Sequence, residues 1–307
     1  MGSFRNVSGV LTPAQRRAAI HKKLRPYLLI APAMLSICVF IVYPIICQVV
    51  LGFTDWNLIR PRNNFIGMEN YADLFTSPAF YEVMWNTLVY TASVVICTMG
   101  AALLLAFVLM RETPLNRLVQ SVIFLPHITA LISISMVFMW LMDPQLGVFN
   151  YVLSLLGLPG LRWLESSSTA MMSVVIVTVW KNVGYYTLVI LGALKAVPRD
   201  IYEAAELDNA SRVRTFFRIT IPMISPTLFF LAVVMMITSF NVFDIVNVMT
   251  AGGPVNSTNV MVFYIHQYAF THMMIGYASA ASTVLLCVVG SLTFVYFKLL
   301  ARKVYYR

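Results

Sequence analysis

Residues 26–53 read PYLLIAPAMLSICVFIVYPIICQVVLGF and contain no Asp, Glu, Lys or Arg. A helix needs roughly 20 apolar residues to cross the hydrocarbon core of a bilayer, so this stretch is long enough to do so. Basic residues precede it, as they precede a signal peptide, but the stretch is longer than a signal peptide's apolar region and offers no small-residue cleavage site. We therefore predict that it stays in the membrane as a helix.

Five further apolar stretches follow along the chain. They cover residues 83–110, 118–142, 170–194, 222–249 and 275–299. Over the whole chain 60% of the residues are hydrophobic and only 11% are charged, whereas about a quarter of the residues in a soluble domain are charged. A chain with so little charge cannot cover a water-facing surface. The sequence therefore predicts an all-α integral membrane protein with six transmembrane helices.

The 21 Lys and Arg residues are distributed unevenly between the loops. Seventeen fall in the N-terminal segment, in the loops after the second and fourth stretches, and in the C-terminal tail. Only Arg60, Arg62 and Arg162 fall in the other loops. Because loops rich in Lys and Arg stay in the cytoplasm, both termini are predicted to be cytoplasmic. The net charge of +9 is thus explained by topology and the membrane, and requires no nucleic-acid partner.

This orientation divides the chain into five regions. They are a cytoplasmic basic segment (1–25), the first transmembrane helix (26–53), an outer loop (54–82), a five-helix core (83–299) that includes a cytoplasmic loop (195–221), and a cytoplasmic tail (300–307).

The cytoplasmic loop 195–221 contains the sequence RDIYEAAELDNAS at residues 199–211. Asp200 and Glu203 have the spacing of a capping box, which predicts that a short helix starts at Asp200. Asn209 tolerates the left-handed backbone that ends such a helix, and Ser211 can cap a second helix that runs toward the membrane. The first helix is predicted to expose small residues, which would let another protein approach closely.

The loop resembles a known family motif. Glu203-Ala204-Ala205, three residues, Asn209, nine residues and then Ile219-x-Ile221-Pro222 is similar to the EAA loop of permease subunits in binding-protein-dependent, ATP-driven importers. That family normally has Gly at the position of Asn209 and Leu at the position of Ile221. Further segments resemble the carbohydrate-type permeases of the same family; they are residues 64–75, 184–186, 194–198, 243–254 and 276–280.

The resemblance implies a type I importer permease fold in a bacterial cytoplasmic membrane. It also implies three kinds of partner: a second permease that is homologous but not identical, two ATPase subunits, and an extracytoplasmic solute-binding protein. The chain has no phosphate-binding loop of the Gly-x-x-x-x-Gly-Lys-Ser/Thr type, so ATP and Mg²⁺ are expected to bind the partner ATPases and no cofactor is expected in this chain. The residues expected to dock on the ATPase are Glu203, Ala204, Ala205, Asp208, Asn209, Ile219 and Pro222.

Two charged residues stand out inside the apolar stretches, Lys181 in the fourth and Asp244 near the end of the fifth. Such groups usually face an interior or a watery cavity. Counting helical rise from the ends of their stretches places the two at depths that differ by more than about 10 Å, which favours a shared aqueous path over an ion pair. Polar neighbours complete the set of candidate pathway residues, which is Lys181, Asn182, Tyr185, Asn241 and Asp244.

The resemblance thus implies a permease subunit for a sugar or oligosaccharide, and no catalytic residues or metal site are expected in this chain. A permease of the same class for sn-glycerol 3-phosphate or another small polar solute is an alternative, and Lys181 would suit an anion. A self-sufficient secondary transporter is disfavoured because Asp244 is the only acid within an apolar stretch. A membrane-embedded enzyme is disfavoured because no cluster of His, Asp or Glu shares a common depth.

Overall fold

The computed structural model describes residues 13–59 and 64–300. The first twelve residues of the predicted basic segment, Arg60 and Arg62 of the predicted outer loop, and residues 301–307 of the predicted tail lie outside it. The described residues are nearly all helical, with one isolated antiparallel bridge between Thr54 and Phe65.

The helices are numbered in chain order. They are α1 (Pro13–Ile37), α2 (Tyr43–Leu51), α3 (Glu69–Thr76), α4 (Pro78–Val108), α5 (Pro114–Ile128), α6 (Leu131–Leu141), α7 (Val148–Leu155), α8 (Ala170–Lys195), α9 (Arg199–Leu207), α10 (Arg212–Thr215), α11 (Ile221–Phe240), α12 (Asp244–Met249), α13 (Met261–His266) and α14 (Ile275–Leu300). Short π-helical turns join α1 to α2 and α10 to α11, and a third follows α13; they are Cys38–Val42, Phe216–Thr220 and Gln267–Thr271.

Within the described residues, five helices are long and apolar enough to cross a membrane. They are Arg25–Leu51, Pro78–Val108, Ala170–Lys195, Val213–Phe240 and Ile275–Lys298. These match the first, second, fourth, fifth and sixth apolar stretches, which confirms the predicted fold class. Helix α4, which covers the second apolar stretch, starts earlier than that stretch. Pro78 occupies its first turn, where a missing N–H costs no hydrogen bond.

The third apolar stretch is not the single helix that hydropathy predicts. Residues 118–142 are divided between α5 and α6, which are bent by 101° at a short break. Thr129 and Ala130 have extended backbone at the break, with ψ angles of 144° and 130°. Pro126 removes one intrahelical hydrogen bond in the last turn of α5. If the bent pair counts as one crossing, the protein has six.

The fifth apolar stretch also differs from its prediction. The helix that was expected over 222–249 ends at Phe240, and Asp244 begins the separate helix α12. Asn241 follows the last turn of α11, where its side-chain amide donates a hydrogen bond to the Ile237 carbonyl at 2.9 Å. The depth difference between Lys181 and Asp244 was counted along a continuous helix, and the structure interrupts that helix after Phe240.

The core lies where α4 and α8 pack together, and Ala102 and Ala106 of α4 and Val174 and Ile190 of α8 are fully buried in it. Small side chains at such a contact let two helices approach closely in a membrane. In contrast, α2 has no buried residue, and its exposed apolar side chains are suited to lipid.

Candidate functional site

A polar cavity of about 230 Å³ lies between α8, the end of α11 and the start of α12. Its wall includes four of the five candidate pathway residues, and they are Lys181, Asn182, Asn241 and Asp244. The break after α11 brings Asn241 and Asp244 to the cavity. The structure thus gathers these four side chains in one place, and their role in transport stays a prediction.

The ammonium of Lys181 is bonded to the protein backbone. Its Nζ donates hydrogen bonds to the carbonyl oxygens of Pro126 at 3.1 Å, His127 at 2.9 Å and Thr129 at 2.7 Å. These carbonyls lie at the C-terminal end of α5 and in the break before α6. Such helix ends carry unsatisfied carbonyls and a partial negative charge, so Lys181 stabilises the broken third crossing.

The same face of α8 packs tightly against α5. A side chain at Gly184 would collide with the Ile123 carbonyl, so the two backbones can meet only because residue 184 is glycine. The next residue, Tyr185, stacks on His127 with 4.5 Å between ring centroids and 12° between planes. Tyr185 therefore lies against α5 and does not line the polar cavity, unlike the other four candidates.

Asp244 is exposed in the first turn of α12 and contributes to the cavity wall. In the part of the chain that the structure describes, no ion pair links it to Lys181. The two charged groups thus share a cavity without contacting each other.

The sequence analysis missed several polar residues that line the same cavity, among them Tyr90 of α4 and Thr178 of α8. The hydroxyl oxygens of these two lie 2.9 Å apart, within hydrogen-bond distance. A lone Tyr or Thr in an apolar helix resembles a core residue, which is why neither was singled out. The spacing of Thr178, Lys181 and Asn182 places them on one face of α8, and this pattern could have revealed Thr178.

The loop 195–221 forms the short helix α9, but its start differs from the prediction. The helix begins at Arg199 after Pro198, and no side chain caps it. The predicted capping box is therefore wrong: Asp200 lies inside the first turn, where its charge favours the helix dipole. Two other predictions are confirmed, because Asn209 has a positive φ of 52° and the Ser211 hydroxyl accepts a hydrogen bond from the Arg214 N–H at 3.3 Å.

The predicted docking residues differ in exposure. Four of them are exposed, and they are Glu203, Ala204, Asp208 and Asn209. Ile219 and Pro222 are half-buried. Ala205 was expected on the exposed side but is only 5% exposed, because successive residues of a helix point about 100° apart. It lines a surface groove together with Asp208 and Ile219.

Large apolar side chains on this loop were missed by the sequence analysis. Leu207, Val213 and Phe217 are 84%, 67% and 62% exposed. They lie in a loop that carries many charged residues and that is predicted to face water. Apolar residues grouped on such a surface indicate an interaction site. Their position within a charged loop is the sequence feature that could have identified them.

An ion pair connects the end of α8 to the segment that precedes α5. Lys195 Nζ donates a hydrogen bond to Glu112 Oε1 at 2.8 Å. This hydrogen bond and the lysine charge lower the pKa of the Glu112 carboxyl below its usual value. Together with Lys181, the pair attaches α8 to both ends of α5.

Comparison with known proteins places these features in a family. Residues 76–305 match the model of the binding-protein-dependent transport system inner membrane component family. The chain belongs to this family. It is therefore an inner-membrane permease subunit of an ABC importer and works with a binding protein, a second permease and separate ATPase subunits that hydrolyse ATP.

Individual relatives agree over nearly the whole chain. A probable ABC transporter permease, YurN of Bacillus subtilis, is 36% identical over 90% of this chain and 96% of its own length. The sulfoquinovosyl glycerol transport permease SmoG of Agrobacterium fabrum is 33% identical over 92% of both chains. The sn-glycerol-3-phosphate transport permease UgpA of Pectobacterium atrosepticum is 34% identical over 92% of this chain and 96% of its own.

A solved structure confirms the type I importer permease fold. It is that of a bacterial ABC transporter involved in the import of the acidic polysaccharide alginate, with a TM-score of 0.81 and 23% identity over 94% of this chain and 99% of the other.

Proposed function

We propose that this chain forms one half of the solute pathway of an importer for a carbohydrate, either a sugar or an oligosaccharide, that a binding protein delivers from outside. The observation that carries the proposal is the polar cavity. It places amide, hydroxyl and carboxylate groups together between helices of a membrane protein, where polar side chains are costly unless they serve a path or a partner.

The names of the relatives favour polyhydroxylated solutes. One is named for sulfoquinovosyl glycerol and another for sn-glycerol-3-phosphate. A glycerol phosphate or another small polar solute is therefore a second candidate within the same class. A self-sufficient secondary transporter has little support, because members of this family depend on a binding protein.

We propose that the EAA loop (residues 195–221), with the adjoining Pro222, docks on the partner ATPase. The exposed Glu203, Ala204, Asp208 and Asn209 would supply the polar part of the contact. The exposed apolar side chains of Leu207, Val213 and Phe217 would supply the apolar part that such interfaces bury. The buried Ala205 and the half-buried Ile219 and Pro222 hold this surface in place from within.

The docking surface and the cavity are connected through a single helix, α8. Only residues 196–198 separate α9 from α8, and α8 carries Lys181 and Asn182. A displacement of α9 by the ATPases would therefore be transmitted to the cavity wall. The cycle is alternating access between two global states, with ATP and Mg²⁺ bound by the partner subunits and no covalent chemistry in this chain.

Replacing Glu203 by Lys in the reconstituted importer tests this proposal. We expect the Glu203→Lys variant to assemble in the membrane but to lose ATP hydrolysis stimulated by the binding protein, because the substitution reverses a charge on the docking surface. Glu165→Lys is the matched control, since Glu165 is also exposed but lies in a loop predicted to face outward. Undiminished stimulation in the Glu203 variant would exclude the docking role.

A further inference from the structure

We infer that the half of the pathway formed by this chain favours an uncharged, polyhydroxylated solute over an anionic one. The inference rests on the proposed function, because it requires the polar cavity to lie on the solute path. It is carried by the contrast between two groups on the cavity wall. The ammonium of Lys181 is bonded to the backbone, whereas no hydrogen bond to the carboxylate of Asp244 is found among the described residues.

The hydrogen-bonding capacity of Lys181 is fully used. An ammonium group has three N–H donors, and three backbone carbonyls accept from this one at 2.7–3.1 Å. An anion could bind Lys181 only by displacing a carbonyl at the break of the third crossing. The positive charge is also offset by the negative end of the α5 dipole, which is equivalent to roughly half an elementary charge.

The carboxylate of Asp244, in contrast, is available to a solute. It is exposed at the cavity, and no side chain within the described residues forms an ion pair with it. A carboxylate only accepts hydrogen bonds, so it is matched by hydroxyl groups, which donate. The same carboxylate repels a phosphate, sulfonate or uronate that enters the cavity.

The neutral groups around Asp244 suit the same class of solute. Asn182, Asn241, Thr178 and Tyr90 line the cavity, and amides and hydroxyls between them both donate and accept hydrogen bonds. Each hydroxyl of a polyol also does both. Proteins that bind phosphate generally provide a free Arg or Lys, or a helix N-terminus. Among the described residues that line the cavity, Lys181 is the only lysine or arginine, and it is already bonded. The helix whose first turn lines the cavity, α12, has only six residues and carries Asp244 in that turn, so the carboxylate offsets the positive end of its dipole.

This inference separates the present chain from its relative named for sn-glycerol-3-phosphate. Of the solutes that the sequence left open, sn-glycerol 3-phosphate carries a negative charge and a sugar does not, and the inferred charge preference applies to that difference. Among the candidates under the proposed function, it favours the uncharged sugar or oligosaccharide.

The charge preference can be measured without knowing the solute. In the complete importer, with Cys38, Cys47, Cys97 and Cys287 replaced by Ala, a cysteine is introduced by Thr238→Cys. Thr238 is exposed and lines the cavity. The labelling rates of three methanethiosulfonates are then compared, one cationic (trimethylammonium-ethyl), one neutral (hydroxyethyl) and one anionic (sulfonatoethyl). Ser167→Cys, at an exposed position in a loop, supplies the reference rates.

We expect the anionic reagent to react about five- to tenfold more slowly than the cationic one at Thr238→Cys, relative to the reference, as one nearby unpaired charge predicts. Adding Asp244→Asn should remove the difference, whereas Asp244→Glu should preserve it. Equal or faster reaction of the anionic reagent would overturn the inference. So would failure of all three reagents at both Thr238→Cys and Asn241→Cys, because the cavity would then be closed to solutes.

Failure of the proposed function is measured separately, on the importer that carries none of these substitutions. If that importer does not retain its ATPase subunits, or does not show stimulated ATP hydrolysis, the proposed function is contradicted. The ranking of the three labelling rates would still report the charge of the cavity.

Discussion

The polar cavity and the EAA loop are held in place in different ways. The cavity is assembled from segments far apart in sequence, and backbone contacts fix it: Lys181 binds three carbonyls, and Gly184 packs against the Ile123 carbonyl. The EAA loop consists of consecutive residues, and most of its predicted docking residues are exposed. Substitutions that break these backbone contacts should therefore destabilise the fold, whereas substitutions on the loop should uncouple the protein from its partner and leave the fold intact.

The largest effect is expected at the contact between α8 and α5. Gly184→Ala adds a Cβ that collides with the Ile123 carbonyl, so the helices must separate, and the free energy of unfolding should fall by about 3 kcal/mol. Gly192→Ala on the same helix is the control, because nothing lies within 4 Å of its Cβ. It should raise stability by about 0.5–1 kcal/mol. Denaturant unfolding of both purified variants in detergent micelles measures the contrast, and equal stabilities would contradict it.

The next effect concerns the lysine at the cavity wall. Lys181→Met leaves three carbonyls without their donor, and we expect the free energy of unfolding to fall by about 2 kcal/mol, since hydrogen bonds to charged groups contribute about 1.5–3 kcal/mol. Lys195→Met makes the same change at the exposed end of the same helix and should have little effect on stability. A Lys181 variant as stable as the Lys195 variant would exclude the structural role of Lys181.

Sequence and structure agree to different degrees in the two regions. The EAA loop could be recognised residue by residue because its motif is local, and its left-handed Asn209 could be read from residue type alone. The burial of Ala205 could not, because it depends on how α9 packs. The five long crossings follow from hydropathy. The break in the third does not, because it depends on Lys181, some fifty residues further along the chain, binding the freed carbonyls of Pro126 and Thr129.

The sequence predicted only some of the residues that line the cavity. Four of its residues were named as polar groups in apolar stretches, although the positions of Asn241 and Asp244 were inferred from a fifth helix that was assumed to be continuous. Tyr185 was named on the same grounds, but its ring stacks on His127. A polar residue in a membrane helix can either contact a neighbouring helix or line a solute path. Only the three-dimensional arrangement distinguishes these two roles.

A smaller effect, confined to coupling, is expected on the EAA loop. Leu207→Asp places a charge where an exposed apolar side chain is proposed to contact the ATPase, so the amount of ATPase that co-purifies should fall severalfold while the melting temperature of this subunit stays unchanged. Leu158→Asp changes another exposed leucine in a loop predicted to face outward, and it should not affect co-purification. Destabilisation by Leu207→Asp, or ATPase retained at the control level, would show that Leu207 is not part of the docking surface.

The smallest effect tests the ion pair at the boundary between the two regions. The Lys195 ammonium lowers the pKa of Glu112 in the folded protein. A carboxyl whose pKa is depressed on folding contributes stability above its unfolded pKa, and that contribution disappears as pH falls through the lower, folded value. Glu112→Gln should therefore be slightly less stable than the wild type at neutral pH, and the difference should vanish in acid. Melting curves of both proteins between neutral and acidic pH measure it. A difference that persists at low pH would mean that Glu112 acts through packing, and that α8 is attached to the start of α5 by contacts other than charge.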